Sequence, residues 1–413
     1  MIAAAQNAVG ARLPLQGYRV LDITTALAGP FASMFMSVLG AEVIKIGRTQ
    51  DGARAPGRRF SGTSFQPSTD GYSQDVNINK KSILLDLKRP EAIEIVKRLA
   101  RESDAVVENY RAGVLDRLGI GYEQLREIKR DIIMLAISSG GATGPDRDDR
   151  GYAAVFAALS GFSELMGYAD GAPIEFRGQC DMVCGTFGAF ALLAALTHRK
   201  LTGEGQLIDA SNREMLSLFI GEVLSDYLVN RRSQSRDGNR HVAWTPNEVY
   251  RCAGDDRWIS ITVTNDDQWQ GLAELVGGPR LADDERFADG FLRWKNRDDL
   301  DQEISAWTNT VSDVKAMNML RAVGVPAAPV LHPPDALADS HLEARNWWRI
   351  LEMGEDRTPH IMAGRAPWLL SKTPCEDYRP GSAPGTDTDS VLAEALKMSD
   401  SEIAQLREKG IIR

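Results

Sequence analysis

The first 215 residues alternate between two kinds of apolar pattern. Short β-rich runs occupy residues 18–24 (YRVLDIT), 42–46 (EVIKI), 82–87 (SILLDL), 104–109 (DAVVEN) and 131–138 (DIIMLAIS). Their apolar residues run together instead of alternating, which predicts strands of a parallel sheet covered on both faces. Helical patterns lie between them. Gly29-Pro30 opens one, with Pro30 suited to a first turn, and FASMFMSVL ends at Gly40, placed as a C′ residue. Pro90 opens PEAIEIVKRLARES, in which Ile93, Ile95, Val96 and Leu99 form one stripe. A helix pair is expected over about 152–166 and 182–199, the second rich in Ala, Leu, Phe and Gly and therefore buried. Residues 206–210 read as a strand and 214–229 as a further helix. Strands alternating with helices predict an α/β fold.

The pattern changes after Asn230, where RRSQSRDGNR is polar and turn-rich. Residues 248–252 and 258–263 then alternate as antiparallel strands do, and helical segments run to about Arg321. A smaller α+β domain is expected there. The tail, from about Val330, holds prolines, the Trp347-Trp348 pair and a last helix near 400–409. The expected division is 1–225, 226–330 and 331–413.

Composition narrows the classes. With 413 residues, 43% hydrophobic and 25% charged, the chain is neither disordered nor fibrous. A net charge of −9 makes nucleic acid or an anionic membrane an improbable partner, so a polyanionic ligand would need a local basic site. The four cysteines (Cys180, Cys184, Cys252, Cys375) are too few for a disulfide framework. Cys180 and Cys184 would share a helical face, but no histidine adjoins them, so buried thiols and no metal are expected. MIAAAQNAVGARLPLQG lacks the features of a signal peptide, and no stretch approaches 18 uncharged apolar residues. A cytoplasmic location is the resulting expectation.

No Walker loop, GxSxG elbow, HExxH or GxGxxG is present, and the first strand ends in TTALAGP. Ligands of open parallel sheets bind at the carboxyl ends of the strands. Three basic clusters fall there: Lys45 with Arg48, Asn79-Lys80-Lys81 with Lys88, and Asn109-Tyr110-Arg111 with Arg117. Each alone is ordinary solvated surface. Together, in an acidic chain, they suit a phosphate-bearing ligand. Asp181 stands at the mouth of the apolar helix in RGQCDMVCGTFGAFALLAAL. It reads first as an N-cap, and also as an anion favoured by the helix dipole and able to act as nucleophile or base. Position alone leaves both open.

The segments VLDITTALAGP, LGAEVIKIGR, NKKSILLDLKRPEA, VVENYRAGVLDRLGI, RGQCDMVCGTFGAFALLAALTHRKLTGEGQLIDAS and GVPAAPVLHPPDALADSHLEARNW resemble, in order, the class III CoA-transferase family. This is the family of formyl-CoA transferase, carnitine CoA-transferase and α-methylacyl-CoA racemase. The resemblance runs from about residue 14 to the C-terminus. It implies a large Rossmann-like CoA-binding domain built from both chain ends, a smaller middle domain, and an interlocked dimer, homomeric or formed with a homologous chain. The implied activity transfers CoA from an acyl-CoA thioester to a small carboxylic acid through aspartyl anhydride and aspartyl-CoA intermediates, without a metal. The family's catalytic aspartate falls on Asp181. Its CoA contacts fall on Thr25, Ala26, Arg48, Leu85, Lys88, Asn109, Tyr110, Arg117 and Arg150. Two alternatives remain: a CoA-thioester isomerase or racemase, and one subunit of a heteromeric transferase. The racemases' second base, a histidine, corresponds to Tyr152. The glycine-rich loop and glutamine of the formyl-CoA transferases correspond to GNRHVAWTPNEVY, with Trp244, and to Leu27. A substrate bulkier than formate or oxalate, such as succinate or an aromatic acid, is the expectation from those departures.

Overall fold

The computed structural model describes residues 12–48, 75–175, 178–353, 358–362 and 366–413. The chain forms two compact units. One comprises Met1–Ser163, Glu175–Ser233 and Glu343–Arg413; the other comprises Glu164–Ile174 and Gln234–Leu342.

The first unit is built on a parallel sheet of β1 (Arg19–Ile23), β2 (Glu42–Arg48), β3 (Lys81–Leu85), β4 (Ala105–Glu108), β5 (Ile133–Ser138) and β6 (Leu207–Ser211). The spatial order is β3-β2-β1-β4-β5-β6, so the chain winds outward twice and reverses between β1 and β4. Neighbouring residues of each strand feed opposite faces. Val20, Val43, Val107 and Leu135 join a cluster with α1 (Ala28–Val38), while Leu21, Ile44, Val106 and Met134 join one with α2 (Pro90–Arg101). Burial on both faces explains why these strands read as apolar runs rather than as alternation.

α2 starts as the sequence predicts, with Pro90 at the head of the helix and Ile95, Val96 and Leu99 buried. It shares its face with α3 (Val114–Leu118), α4 (Tyr122–Ile128) and the C-terminal helices Thr388–Leu396 and Asp400–Glu408. That returning segment also covers the sheet edge: Ser82 N–H donates to Asp387 Oδ2 at 2.7 Å, and Asp387 N–H to Ser82 O at 3.0 Å. Covered in this way, β3 offers no open edge there for another strand.

Two expected helices are shorter than their patterns. The 152–166 segment is α5 (Ala153–Leu159), then a 3₁₀ turn at Phe162–Leu165. The interruption is Gly161 at φ +82°, a left-handed residue that cannot continue a helix. The 214–229 segment becomes α7 (Asn212–Ser217), a 3₁₀ turn at Leu218–Ile220, and α8 (Gly221–Asn230). Between these pairs runs α6 (Gln179–Thr202), whose 24 residues are long and apolar enough to cross a membrane by length and composition. Here α6 lies against α1. A Cβ on Gly185 would stand 2.6 Å from Ala28 O, and one on Gly188 would stand 2.8 Å from Ile137 Cδ1. Side-chain-free positions let the two backbones approach this closely.

The second unit is an antiparallel sheet of β7 (Asn247–Arg251), β8 (Trp258–Thr262) and β9 (Ala327–Pro329). Ile259 and Ile261 alternate inward and meet Trp269, Phe287 and Leu300 in a core of its own. The period-two signal was clear here because one face of the sheet is solvated.

Candidate active site

The carboxyl ends of β1 and β4 flank the reversal of strand order, the place where open parallel sheets form a binding crevice. Asn109 spans it. Thr25 N–H donates to Asn109 Oδ1 at 2.8 Å, and Asn109 Nδ2–H donates to Thr25 O at 2.7 Å. Thr25 and Ala26 are exposed above this clasp. Ala26 has φ +57°, a left-handed conformation that costs a non-glycine residue about 1 kcal/mol or more. Gly29, inside the first turn of α1, fits beneath them, since a Cβ there would come within 2.6 Å of Thr24 and 2.9 Å of the Asn109 amide carbon.

Leu27 connects this turn to α6. Its side chain is buried, and a Cβ on Gly178 would lie 3.4 Å from Leu27 Cδ2. Gly178 is the N-cap of α6, at φ +63°. Asp181 is therefore the third residue of the helix and not its cap, which corrects the simpler sequence reading. The N–H groups of Gln179, Cys180 and Asp181 have no intrahelical acceptor at this end. The Asp181 carboxyl is half-buried, and burial pushes it up to about 6. No hydrogen bond or ion pair joins it to a described residue. The neighbouring thiols are free and buried, and burial pushes Cys184 up to about 12, so neither competes with Asp181 as a nucleophile at neutral pH.

The cations divide into two groups. Lys88, Arg117 and Arg150 are exposed, and their charged ends have no partner among the described residues. Lys88 and Arg117 line one open groove of about 530 Å³, with Leu87, Pro90 and Lys97. Lys45, Lys80 and Lys81 are engaged elsewhere. Lys81 pairs with Glu42 at 2.7 Å and Glu394 at 3.2 Å. Lys80 is buried against Asp22 at 2.9 Å, and Lys45 reaches the same carboxylate at 3.4 Å. The clusters' pattern predicts cations facing a ligand; the structure instead makes Lys80 a buried counter-ion of Asp22 and ties Lys81 to Glu42 and Glu394 at a half-buried position.

Of the other expected contacts, Tyr110 is half-buried and packs against the α2-side cluster. The Leu85 side chain is wholly buried, so it shapes the end of β3 from within. The Arg48 side chain lies outside the described residues. Two acids went unnoticed in the sequence. Asp22 is fully buried, and although burial pushes it up, Lys45, Lys80, Ser33 and Thr24 together hold it far below the usual carboxylate range. Glu108 ends β4, accepts from Tyr110 N–H at 2.7 Å and is pushed up to about 8, first by burial. The available signal was an acid inside each of two otherwise apolar strands, VLDI and AVVE.

The model of CoA-transferase family III matches residues 15–390. The chain belongs to that family. Among curated relatives, it is 34% identical to the succinate–glutarate CoA-transferase of Agrobacterium fabrum over 92% of this chain and 95% of that one. It is 31% identical to the succinyl-CoA–L-malate CoA-transferase beta subunit of Chloroflexus aurantiacus, over 97% and 98%. The crystal structure of a CAIB/BAIF family protein from Brucella suis superposes with a TM-score of 0.82 at 29% identity, covering 93% of this chain and all of that one. The clasp, the exposed cations and Asp181 all belong to the first unit.

Proposed function

We propose that the chain is an acyl-CoA:carboxylate CoA-transferase in which Asp181 is the nucleophile. The observation that carries this reading is a half-buried carboxylate, with no hydrogen bond or ion pair to a described residue, in the first turn of α6, whose cap Gly178 meets the Leu27 side chain next to the Thr25–Ala26 turn. The Asp181 carboxylate attacks the thioester carbonyl carbon; the C–S bond breaks, leaving an acyl-aspartyl anhydride and CoA thiolate. The thiolate attacks Cγ of Asp181 and expels the donor carboxylate, which leaves aspartyl-CoA. The acceptor carboxylate attacks the same carbon and frees the thiolate again. The thiolate then takes the acyl group from the new anhydride and restores Asp181. No proton is gained or lost, so no general acid is required. The open N–H groups at the start of α6 are suited to stabilise each tetrahedral oxyanion.

Lys88, Arg117 and Arg150 are assigned to the CoA phosphates, and Thr25, Ala26, Asn109 and Tyr110 to the crevice wall. Arg48 and Leu85 complete that set by resemblance. The names of the relatives support a four- or five-carbon dicarboxylic acid as donor or acceptor. An isomerase needs a second base beside Asp181, and the histidine position holds Tyr152, exposed before α5. The test is mass spectrometry of the protein after incubation with a panel of acyl-CoAs, succinyl-CoA included, and a hydroxylamine trap. A hydroxamate on Asp181 that depends on one thioester is the expected result; CoA binding with no adduct from any thioester would sink the covalent route.

Arg117→Ala and Lys88→Ala should each raise the KM for acyl-CoA about tenfold, the scale of one lost charge-assisted hydrogen bond. The KM for the acceptor acid should not move. Equal rises in both constants would remove these residues from the CoA site.

We assign the interlocked dimer to the apolar face that α6 and α8 leave open. Phe190 is 72% exposed, Leu228 67% and Val229 80%, and Leu218, Phe219 and Leu224, shortly before the last two in sequence, are also exposed. Several large apolar side chains exposed on two neighbouring stretches of one unit suit an interface. The occupant proposed is a second copy of this chain, with a homologous chain as the other outcome. Light scattering on the purified chain should return twice its mass, and a double Leu228→Asp/Val229→Asp variant should return the monomer. A wild-type monomer with no activity would favour the heteromer.

A further inference from the structure

We propose that Lys80 is a positioning residue for binding of the CoA thioester: its buried ammonium, acting with Asp22, holds the Thr24–Ala26 turn and the first turn of α1 in the shape the thioester meets. The inference rests on the reading of the crevice as the CoA site.

Lys80 is 3% exposed, and its Nζ donates to Asp22 Oδ2 at 2.9 Å, Pro30 O at 2.9 Å, Ser33 Oγ at 2.8 Å and Asn77 Oδ1 at 3.2 Å. Two of these acceptors belong to the first turns of α1 and one to β1. Ser33 Oγ–H donates in turn to the same Asp22 oxygen at 2.6 Å. The other Asp22 oxygen takes Thr24 N–H at 2.9 Å and the Thr24 hydroxyl. Lys45 closes the assembly from β2, donating to Thr24 O at 3.2 Å. Thr24 is therefore held at its N–H, its hydroxyl and its carbonyl, while Pro30 and Ser33 are held from below. The exposed Thr25 and Ala26 lie between these two anchors, and Thr25 is clasped by Asn109.

A buried ion pair is a poor source of stability, because apolar residues of the same volume do as well. The arrangement makes sense for a different reason. Ala26 sits in a left-handed conformation. Strained backbone of this kind persists only where its surroundings over-determine it. The Asp22–Lys80–Lys45 network supplies that constraint on both flanks of the turn. It does so with Asp22 and Lys80 fully buried, so that neither of those charges meets the phosphates directly.

The experiment compares full-length wild type, Lys80→Met and the double variant Asp22→Asn/Lys80→Met, which leaves no lone buried carboxylate. Three quantities are read: hydrogen exchange of amides 24–29 without ligand, the Kd for CoA, and the thermal midpoint. Lys80→Met should speed exchange of those amides at least tenfold and weaken CoA at least tenfold, with the KM of the acceptor acid held within twofold. The double variant should recover the thermal midpoint while CoA binding stays weak, which a merely structural pair would not do. Unchanged exchange in Lys80→Met, or CoA affinity that returns together with stability in the double variant, overturns the proposal. If the wild type binds no CoA, the assignment of the crevice fails, and the exchange result still decides what Lys80 holds.

Discussion

Asp181→Asn should lower transferase turnover by at least about a thousandfold, the scale seen when a covalent nucleophile is removed, and should at the same time stabilise the fold. The two effects have one cause. Burial raises the Asp181 carboxyl from 3.8 to about 6, and no described residue offsets it. Above pH 6 the group is charged in both folded and unfolded chains, and the folded state bears the whole desolvation cost. Below about pH 4 it is protonated in both, and the cost is gone. Asparagine has the same shape and no charge, so its advantage should grow from nothing at pH 4 to roughly 1–3 kcal/mol at pH 7, the upper figure being the full shift at 1.36 kcal/mol per unit. Wild-type turnover should follow the same titration and fall as the pH drops through 6, because the protonated carboxyl is not a nucleophile. Urea unfolding at pH 4 and pH 7, with turnover measured on the same samples, decides the matter. A variant that keeps a tenth of wild-type turnover would remove Asp181 from the chemistry. A variant no more stable than wild type at pH 7 would mean that the carboxylate is solvated, contrary to its burial.

Such a site was only partly legible in the sequence. The sheet was legible because VLDI, EVIKI and AVVE must be apolar on both faces, and an uninterrupted run says so without any knowledge of neighbours. The presence of the apolar helix at Asp181 was legible too, but not its bounds, Gln179–Thr202 in place of 182–199, nor the aspartate's place in it. An Asp at a helix start resembles a cap, and only the left-handed Gly178 three residues earlier shows that the cap is already supplied. The lysines were misread for a reason that local sequence cannot repair. Lys80 and Lys81 are consecutive, yet one turns inward to Asp22, 58 positions away, and the other reaches Glu42 because β2 and β3 pair in parallel. Which of two adjacent charges is structural depends on that pairing and on the inward position of Asp22. Lys88 and Arg117 are exposed, Lys88 in the turn that follows β3 and Arg117 on the outer side of α3, whose Leu115 faces the core.

Gly185→Ala should destabilise the protein by about 2 kcal/mol and lower turnover about a hundredfold, although the same change in an isolated helix stabilises it by about 1 kcal/mol. The added methyl would stand 2.6 Å from Ala28 O and 3.0 Å from Phe31 Cβ. A backbone oxygen inside α1 cannot rotate away, so the two helices must separate. Their separation matters to function because α1 begins at the Thr25–Ala26 turn and α6 carries Asp181, one turn before Gly185. A reacting carboxylate displaced by about 1 Å can lose two orders of magnitude in rate. Gly188→Ala is the control. Its nearest obstacle, 2.8 Å away, is Ile137 Cδ1, the free end of a side chain that can adopt another rotamer. Helix propensity and mild crowding should then nearly cancel, leaving stability within about 1 kcal/mol of wild type and turnover close to it. Thermal unfolding of both variants, with kcat for each, separates the outcomes. Should Gly185→Ala prove as stable and as active as Gly188→Ala, the close approach of α1 and α6 would not be what sets Asp181 beside the crevice. The contact between Leu27 and Gly178 would then be left to do it alone.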